Sequence, residues 1–229
     1  MAVQPPSTEG GGCEPISRHP MVARPLLARM AAKHAPTYQH LGRVSRIAEY
    51  FATHLRLSRK EVRLVSLSAL LHDIGKLEIP DALLTKEGWL TASEIETVCE
   101  HAARGADILS RIPALADLAG AVRHHHEWFD GRGYPDGLQG EDIPWVSRVI
   151  AICDAFDSMI TPRPYAPALS VDQALEELRR GAGTQFDPEL TRLFVERQQR
   201  LTVVRPKVHC EWGDPEQRPR PLAVRHKRM

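Results

Sequence analysis

Apolar residues recur along this chain mostly at steps of three and four, the spacing of helices that turn one face to a core. Val62, Val65, Ala69 and His72 lie on one such stripe, and His40, Val44, Ile47 and Phe51 on a second. A third runs through "VSRVIAICDAFDSMI" as Val146, Ile150, Asp154 and Asp157. Helix starts are marked by the spacing of capping boxes, Ser58 with Glu61, Thr91 with Glu94, and Ser170 with Gln173. Asp187 ahead of Pro188 reads as another N-cap, with proline at the first helical position. The Gly- and Pro-rich "FDGRGYPDGLQGEDIP" cannot be helical and predicts a long ordered loop between two helices. No period of twenty to fifty residues indicates a repeat array. The pattern predicts an all-α domain.

Each stripe continues into polar residues, and that is chemically expensive. A buried imidazole or carboxylate costs roughly several kcal/mol unless it is paired, hydrogen-bonded or bound to a metal. His72 and Asp73 stand side by side at the end of the apolar run "VSLSALLHDIGK", and the chain holds eleven histidines, among them His40, His72, His101 and the run His124, His125 and His126. Taken singly, each has a plain structural reading. His40 can be a satisfied core histidine, Asp73 a helix cap, Asp154 an ion-pair partner, and the histidine run a solvated loop entrance. Together, beside a loop able to close over them, they point to a metal centre. Imidazoles with a few carboxylates suit Fe, Mn, Zn or Ni better than Mg or Ca. Asp73 has two oxygens and can bridge two ions. Two metals about 3.5–4 Å apart can share a hydroxide and clamp both oxygens of a displaced phosphoester, so phosphoester hydrolysis is the leading chemistry.

Composition narrows the setting. With 229 residues, 42% of them hydrophobic, the chain can bury one sizeable core. Residues 1–18 are polar and rich in Gly and Pro and predict a flexible leader. Residues 19–199 form the expected domain, and 200–229, with eight basic and three acidic residues, a basic flexible tail. A formal net charge of +1 shows no commitment to nucleic acid. No run approaches the roughly 18 apolar residues of a spanning helix, so no membrane partner is expected. Cys13, Cys99, Cys153 and Cys210 are scattered without a pairing framework, which fits a reducing cytoplasm.

Four ordered stretches, "LLHDIGKLEIPDALL", "HHEWFDGRGYPDGL", "DAFDSMITPRPY" and "GAGTQFDPEL", make residues 37–195 resemble the HD-GYP family, a branch of the HD-domain phosphohydrolases. The resemblance implies an HD-domain helical bundle with a metal site between helices and a long ordered GYP loop. It implies an iron or manganese centre that hydrolyses cyclic di-GMP to pGpG or GMP through a metal-bridging hydroxide. By position, the metal ligands would be His40, His72, Asp73, His101, His125, His126 and Asp154, with Asp73 bridging. His124 falls at a variable position and is read as a supporting or surface residue. Lys76 matches a residue near the scissile phosphate and would assist the leaving oxygen, and Arg163 matches one that holds phosphate. Gly133, Tyr134 and Pro135 form the GYP element. In the family this loop borders the substrate and is linked to contacts with diguanylate cyclase (GGDEF) domains. Asp157, one turn beyond Asp154, can orient a ligand.

The chain also departs from the family pattern. Three-metal members carry a Glu four residues before the first histidine, where this chain has Pro36, so a binuclear centre is expected. Ala166 replaces a basic residue that often follows "RPY", removing one phosphate contact. Trp128 and Phe129 stand where the family has Arg and Trp, and are read as packing residues. Three functions compete: a cyclic di-GMP phosphodiesterase, a non-catalytic module that binds cyclic di-GMP or a diguanylate cyclase, and a phosphohydrolase of another cyclic dinucleotide. The complete ligand set favours the first. Nothing in the pattern sets an oligomeric state.

Overall fold

The three capping boxes form as the spacing predicts. Ser58, Thr91 and Ser170 each accept from the backbone N–H three residues on, and the Glu61, Glu94 and Gln173 side chains return the bond. These reciprocal pairs satisfy backbone donors that a helix start otherwise leaves free. Asp187 caps the last helix by accepting from the N–H groups of Glu189 and Leu190.

A computed structural model describes residues 19–162 and 167–204. Among these the elements are α1 (His19–Lys33), α2 (Ala35–His54), α3 (Arg59–Leu71), α4 (Asp81–Leu84), α5 (Ala92–Cys99), α6 (His101–Ser110), α7 (Ala119–Arg123), α8 (Trp145–Ile160), α9 (Val171–Gly181) and α10 (Pro188–Val204). Short 3-10 turns occupy Ile74–Glu78, Pro113–Leu118 and Gly140–Asp142. The described residues contain two isolated β-bridges and no strand, so the architecture is all-α. None of these helices is long and apolar enough to cross a membrane. Helix α10 runs on past residue 199, the boundary expected from composition, because the helix-breaking prolines begin only at Pro206. The expected leader, the rest of the tail, Arg163 and Ala166 lie outside the described residues.

Two apolar clusters share the α2/α3 hairpin. Val44, Ala48, Phe51, Val65 and Ala69 face α8, α9 and α10, where Phe194 meets Phe51 edge-on with centroids 5.1 Å apart. Leu41, Leu67 and Leu71 face the opposite way, onto Met30 of α1, Leu109 of α6 and Leu118. A helix pair buried on both sides is held rigidly along its length. Its open end brings the first turns of α2 beside the last residues of α3, with the His40 and His72 rings 5.3 Å apart between centroids.

Helix α3 gives way at His72 to the 3-10 turn Ile74–Glu78, which packs against α6. Gly75 permits that approach: a Cβ there would stand 1.9 Å from the His101 carbonyl oxygen and 2.5 Å from the Gly105 nitrogen. The loop after α7 is ordered, as its sequence predicts. Glu127 is 3% exposed and its carboxylate accepts from the N–H groups of Asp136 (2.7 Å), Gly137 (3.1 Å) and Leu138 (3.2 Å). Three such donors compensate a carboxylate withdrawn from water. They draw the loop, with its cis Tyr134–Pro135 bond, back over the site.

Candidate metal centre

Five elements deliver the expected ligands to one place. His40 comes from α2, His72 and Asp73 from the end of α3, His101 from the first residue of α6, His125 and His126 from the end of α7, and Asp154 from α8. Three of the histidines are oriented in the same way. The Nδ1 atoms of His72, His101 and His125 lie 2.8, 2.7 and 2.6 Å from the carbonyl oxygens of Ala69, Val98 and Val122, each three residues back. A carbonyl only accepts, so each Nδ1 carries the proton and each Nε2 presents a lone pair.

Those lone pairs converge. His101 Nε2 lies 3.4 Å from His125 Nε2 and 3.2 Å from His126 Nε2, and 3.1 Å from Asp73 Oδ1. His72 Nε2 is buried and has no hydrogen-bond partner, with Asp73 Oδ2 3.6 Å and Asp154 Oδ1 4.0 Å away. An orphaned buried acceptor, and basic nitrogens facing one another, are unfavourable unless a cation stands among them. Burial lowers the pKa of His72 and of His125, and it drives His126 down to about 3 with help from neighbouring His101. These imidazoles are therefore neutral and ready to donate at neutral pH. Burial works against ionising Asp73 and Asp154. The Lys76 ammonium nevertheless holds Asp73 well below its ordinary range, and His40 does the same for Asp154.

The donor atoms form two groups that share one residue. Asp73, His101, His125 and His126 offer ligand atoms within 4.8 Å of one another, as do His40, His72 and Asp73. Asp154 adds a carboxylate oxygen 2.9 Å from His40 Nε2. A nitrogen-rich set with carboxylates fits a transition-metal divalent ion and is unlike the all-oxygen shells of Mg or Ca.

His40 is held differently. Its Nδ1 donates to Asp157 Oδ2 at 2.7 Å, and Asp157 accepts in turn from Arg43 Nε (2.8 Å) and Nη2 (3.0 Å). Burial opposes protonating His40, but the Asp154 and Asp157 hydrogen bonds outweigh it and raise its pKa to about 9. Asp157 thus has the orienting geometry expected of it. Arg43 was not foreseen. Its position three residues after His40, one turn on along the same face, is the signal that could have found it.

Lys76 Nζ lies 2.6 Å from Asp73 Oδ2, partly exposed at the edge of the site. Tyr134 stacks on His126 with centroids 4.9 Å apart. Burial raises its hydroxyl pKa, as does the hydrogen-bonded Cys99. His124 stands outside the ligand groups that share Asp73, donating to Asp136 Oδ2 at 2.8 Å. His124, Glu127 and Asp136 form a third set of converging groups, already engaged by Arg123 and by loop N–H donors.

A family model described as HD domain matches residues 25–190. The chain belongs to the HD-domain family. An HD domain implies a divalent metal, and the histidine and aspartate groups above are where this one can hold it. The HD-GYP character expected from the four motifs agrees with the relatives. The cyclic di-GMP phosphodiesterase response regulator RpfG of Xanthomonas campestris is 40% identical over 171 residues, covering 72% of this chain and 45% of the relative. The 3'3'-cGAMP-specific phosphodiesterase 2 of Vibrio cholerae is 36% identical over 183 residues, covering 79% of this chain and 35% of the relative. The chain thus spans less than half the length of these curated relatives. Among solved structures, a cyclic GMP-AMP specific phosphodiesterase of V. cholerae shares the fold, with a TM-score of 0.60 and 21% identity over 80% of this chain and 48% of its own.

Proposed function

We propose that this HD domain is a binuclear metal-dependent phosphodiesterase of cyclic di-GMP, releasing pGpG or GMP. The observation that carries the reading is the buried convergence of unprotonated Nε2 atoms on the two oxygens of Asp73. One ion would be held by His101, His125, His126 and Asp73, and the other by His40, His72, Asp154 and Asp73, with iron or manganese the metals that suit the donors. When bound, such a pair supplies Lewis acidity toward phosphoryl oxygens and lowers the pKa of water toward neutrality.

The chain's own residues do the rest. The carbonyls of Ala69, Val98 and Val122 and the carboxylate of Asp157 fix the rings of His72, His101, His125 and His40, so these imidazoles are oriented before an ion arrives. Lys76 neutralises charge on Asp73, and its ammonium would assist a leaving oxygen as negative charge builds there. Arg163 would grip a phosphate with two donors. Tyr134, held against His126, would border the substrate, and the loop that carries it is the surface offered to a diguanylate cyclase domain.

The test is turnover of cyclic di-GMP by protein loaded anaerobically with Fe(II) or Mn(II), with products resolved by chromatography. Conversion to pGpG or GMP is expected, and Asp73→Ala should fall to background with its helical circular dichroism intact. Two bound ions without turnover of any cyclic dinucleotide would favour a binding module instead. Faster turnover of 3'3'-cGAMP than of cyclic di-GMP would reassign the substrate.

A further inference from the structure

A cavity of about 130 Å³ opens directly beside the ligand cluster. His125, His126 and Asp154 line one side of it, and Glu127, Trp128, Ala151, Ala155 and Gln185 the rest. The space exists because the positions flanking Asp154 on the same face of α8, 151 and 155, are alanines. Its volume is close to the roughly 150 Å³ that accommodates one benzene ring. Because the cavity is open on one side, it has room for the six-membered ring of one base with the fused ring toward its mouth, and too little for a whole dinucleotide.

The two segments that bring Trp128 and Gln185 to the cavity are tied together through their backbones. Phe129 N–H donates to the Gln185 carbonyl at 3.3 Å and Asp130 N–H to the Thr184 carbonyl at 2.9 Å, tying the segment after Trp128 to the segment that carries Gln185. The Trp128 ring is steadied by the Arg132 guanidinium, 5.6 Å from its centroid, and Arg132 is itself anchored on Asp130 at 2.8 Å. Glu127 cannot read a ligand, since its carboxylate is committed to three loop N–H groups. That leaves Trp128, with its indole, and Gln185, with its carboxamide, among the lining residues. An indole offers stacking to any base, and a carboxamide presents a donor beside an acceptor, the complement of a purine edge.

We propose that this cavity is a purine subsite, in which one base of the substrate stacks on Trp128 and is read along its edge by Gln185. The inference rests on the phosphodiesterase reading for the placement of the scissile phosphate at the adjoining ligands. Because the cavity shares His125, His126 and Asp154 with the ligand cluster, a phosphate held there and the base of the same nucleotide fall within one nucleoside's reach.

The test compares binding of 5'-GMP with binding of ribose 5-phosphate, which has the same sugar and phosphate without the base, to manganese-loaded protein by calorimetry. Wild type should favour 5'-GMP by about tenfold or more, the scale of one base stacked on an aromatic ring. Trp128→Ala should erase most of that preference, Gln185→Ala should reduce it, and Trp128→Phe should keep most of it. Metal content serves as the check on folding, and Trp128→Phe and Gln185→Ala carry the test if Trp128→Ala does not fold. No preference in wild type, or a preference unchanged in the variants, overturns the subsite even if cyclic di-GMP is hydrolysed. A preference that depends on Trp128 and Gln185 without cyclic dinucleotide turnover supports the subsite and refutes the phosphodiesterase reading instead.

Discussion

Substituting Gly75 by Ala tests whether the site depends on the close approach of two backbones. The new Cβ would meet the His101 carbonyl oxygen at 1.9 Å, the Gly105 nitrogen at 2.5 Å and the His101 carbonyl carbon at 2.8 Å, whereas ordinary contact begins at 3.4 Å. The shortfall is about 1.5 Å against the oxygen (3.4 less 1.9). All three atoms are backbone, so no rotamer relieves the clash. Either the 3-10 turn or the start of α6 must move. Asp73 stands two residues before Gly75 and His101 is the first residue of α6, so any relief pulls Asp73 Oδ1 away from His101 Nε2, now 3.1 Å apart. Overpacking of this kind costs about 1–3 kcal/mol. In a domain of this size that is a fall of roughly 2–12 °C in Tm, at about 2–4 °C per kcal/mol. The misplacement matters more for chemistry, where about 1 Å can cost roughly a hundredfold in rate. Metal titration by calorimetry, thermal unfolding followed by circular dichroism, and cyclic di-GMP turnover read the three effects. A Gly75→Ala protein that binds two ions with wild-type affinity and turns over at the wild-type rate would refute the argument.

Two further outcomes follow from the electrostatics around His40. Its pKa of about 9 lies above the ordinary 6.5, so its proton stabilises the metal-free fold fully below pH 6.5, and that contribution is lost as pH rises through 9. The proton competes with metal for Nε2, so apparent affinity at the His40 side should climb by up to about tenfold per pH unit between pH 7 and 9, as read by calorimetric titration. A flat profile would count against His40 as a ligand. Asp157→Asn or Arg43→Gln should weaken metal binding by about 10–100-fold, the usual cost of losing a group that orients a ligand. Unchanged affinity in both variants would mean that the Arg43–Asp157 pair is structural only.

Much of this site could be read from spacing. His72 at the end of the Val62–Val65–Ala69 stripe had to point inward, and the adjacent Asp73 made an uncompensated burial too costly to ignore. The capping boxes fixed where α3, α5 and α9 begin, and for α3 thereby how far His72 and Asp73 lie from the helix start. Contacts between distant segments left no such trace. Arg43 looks like an ordinary charged residue on an amphipathic helix until α8 brings Asp157 to it across 114 positions. Glu127 is not singled out by its sequence, because its work is to hold loop residues nine to eleven positions later, which no helical period records. Gly75 has a backbone conformation open to other residues, and only α6 pressing on it makes the missing Cβ necessary. Trp128 was read as packing; it does pack with Arg132, but it also walls the cavity beside the ligands.

The central claim is that one carboxylate, Asp73, is shared by two ions set among lone pairs fixed by the fold. Anomalous diffraction at the manganese edge, from crystals of the loaded protein, measures this directly. The expected map has two peaks about 3.5–4 Å apart that flank Asp73, one beside His101, His125 and His126 and the other beside His40, His72 and Asp154. A single peak, or no peak within bonding distance of Asp73, would contradict the account.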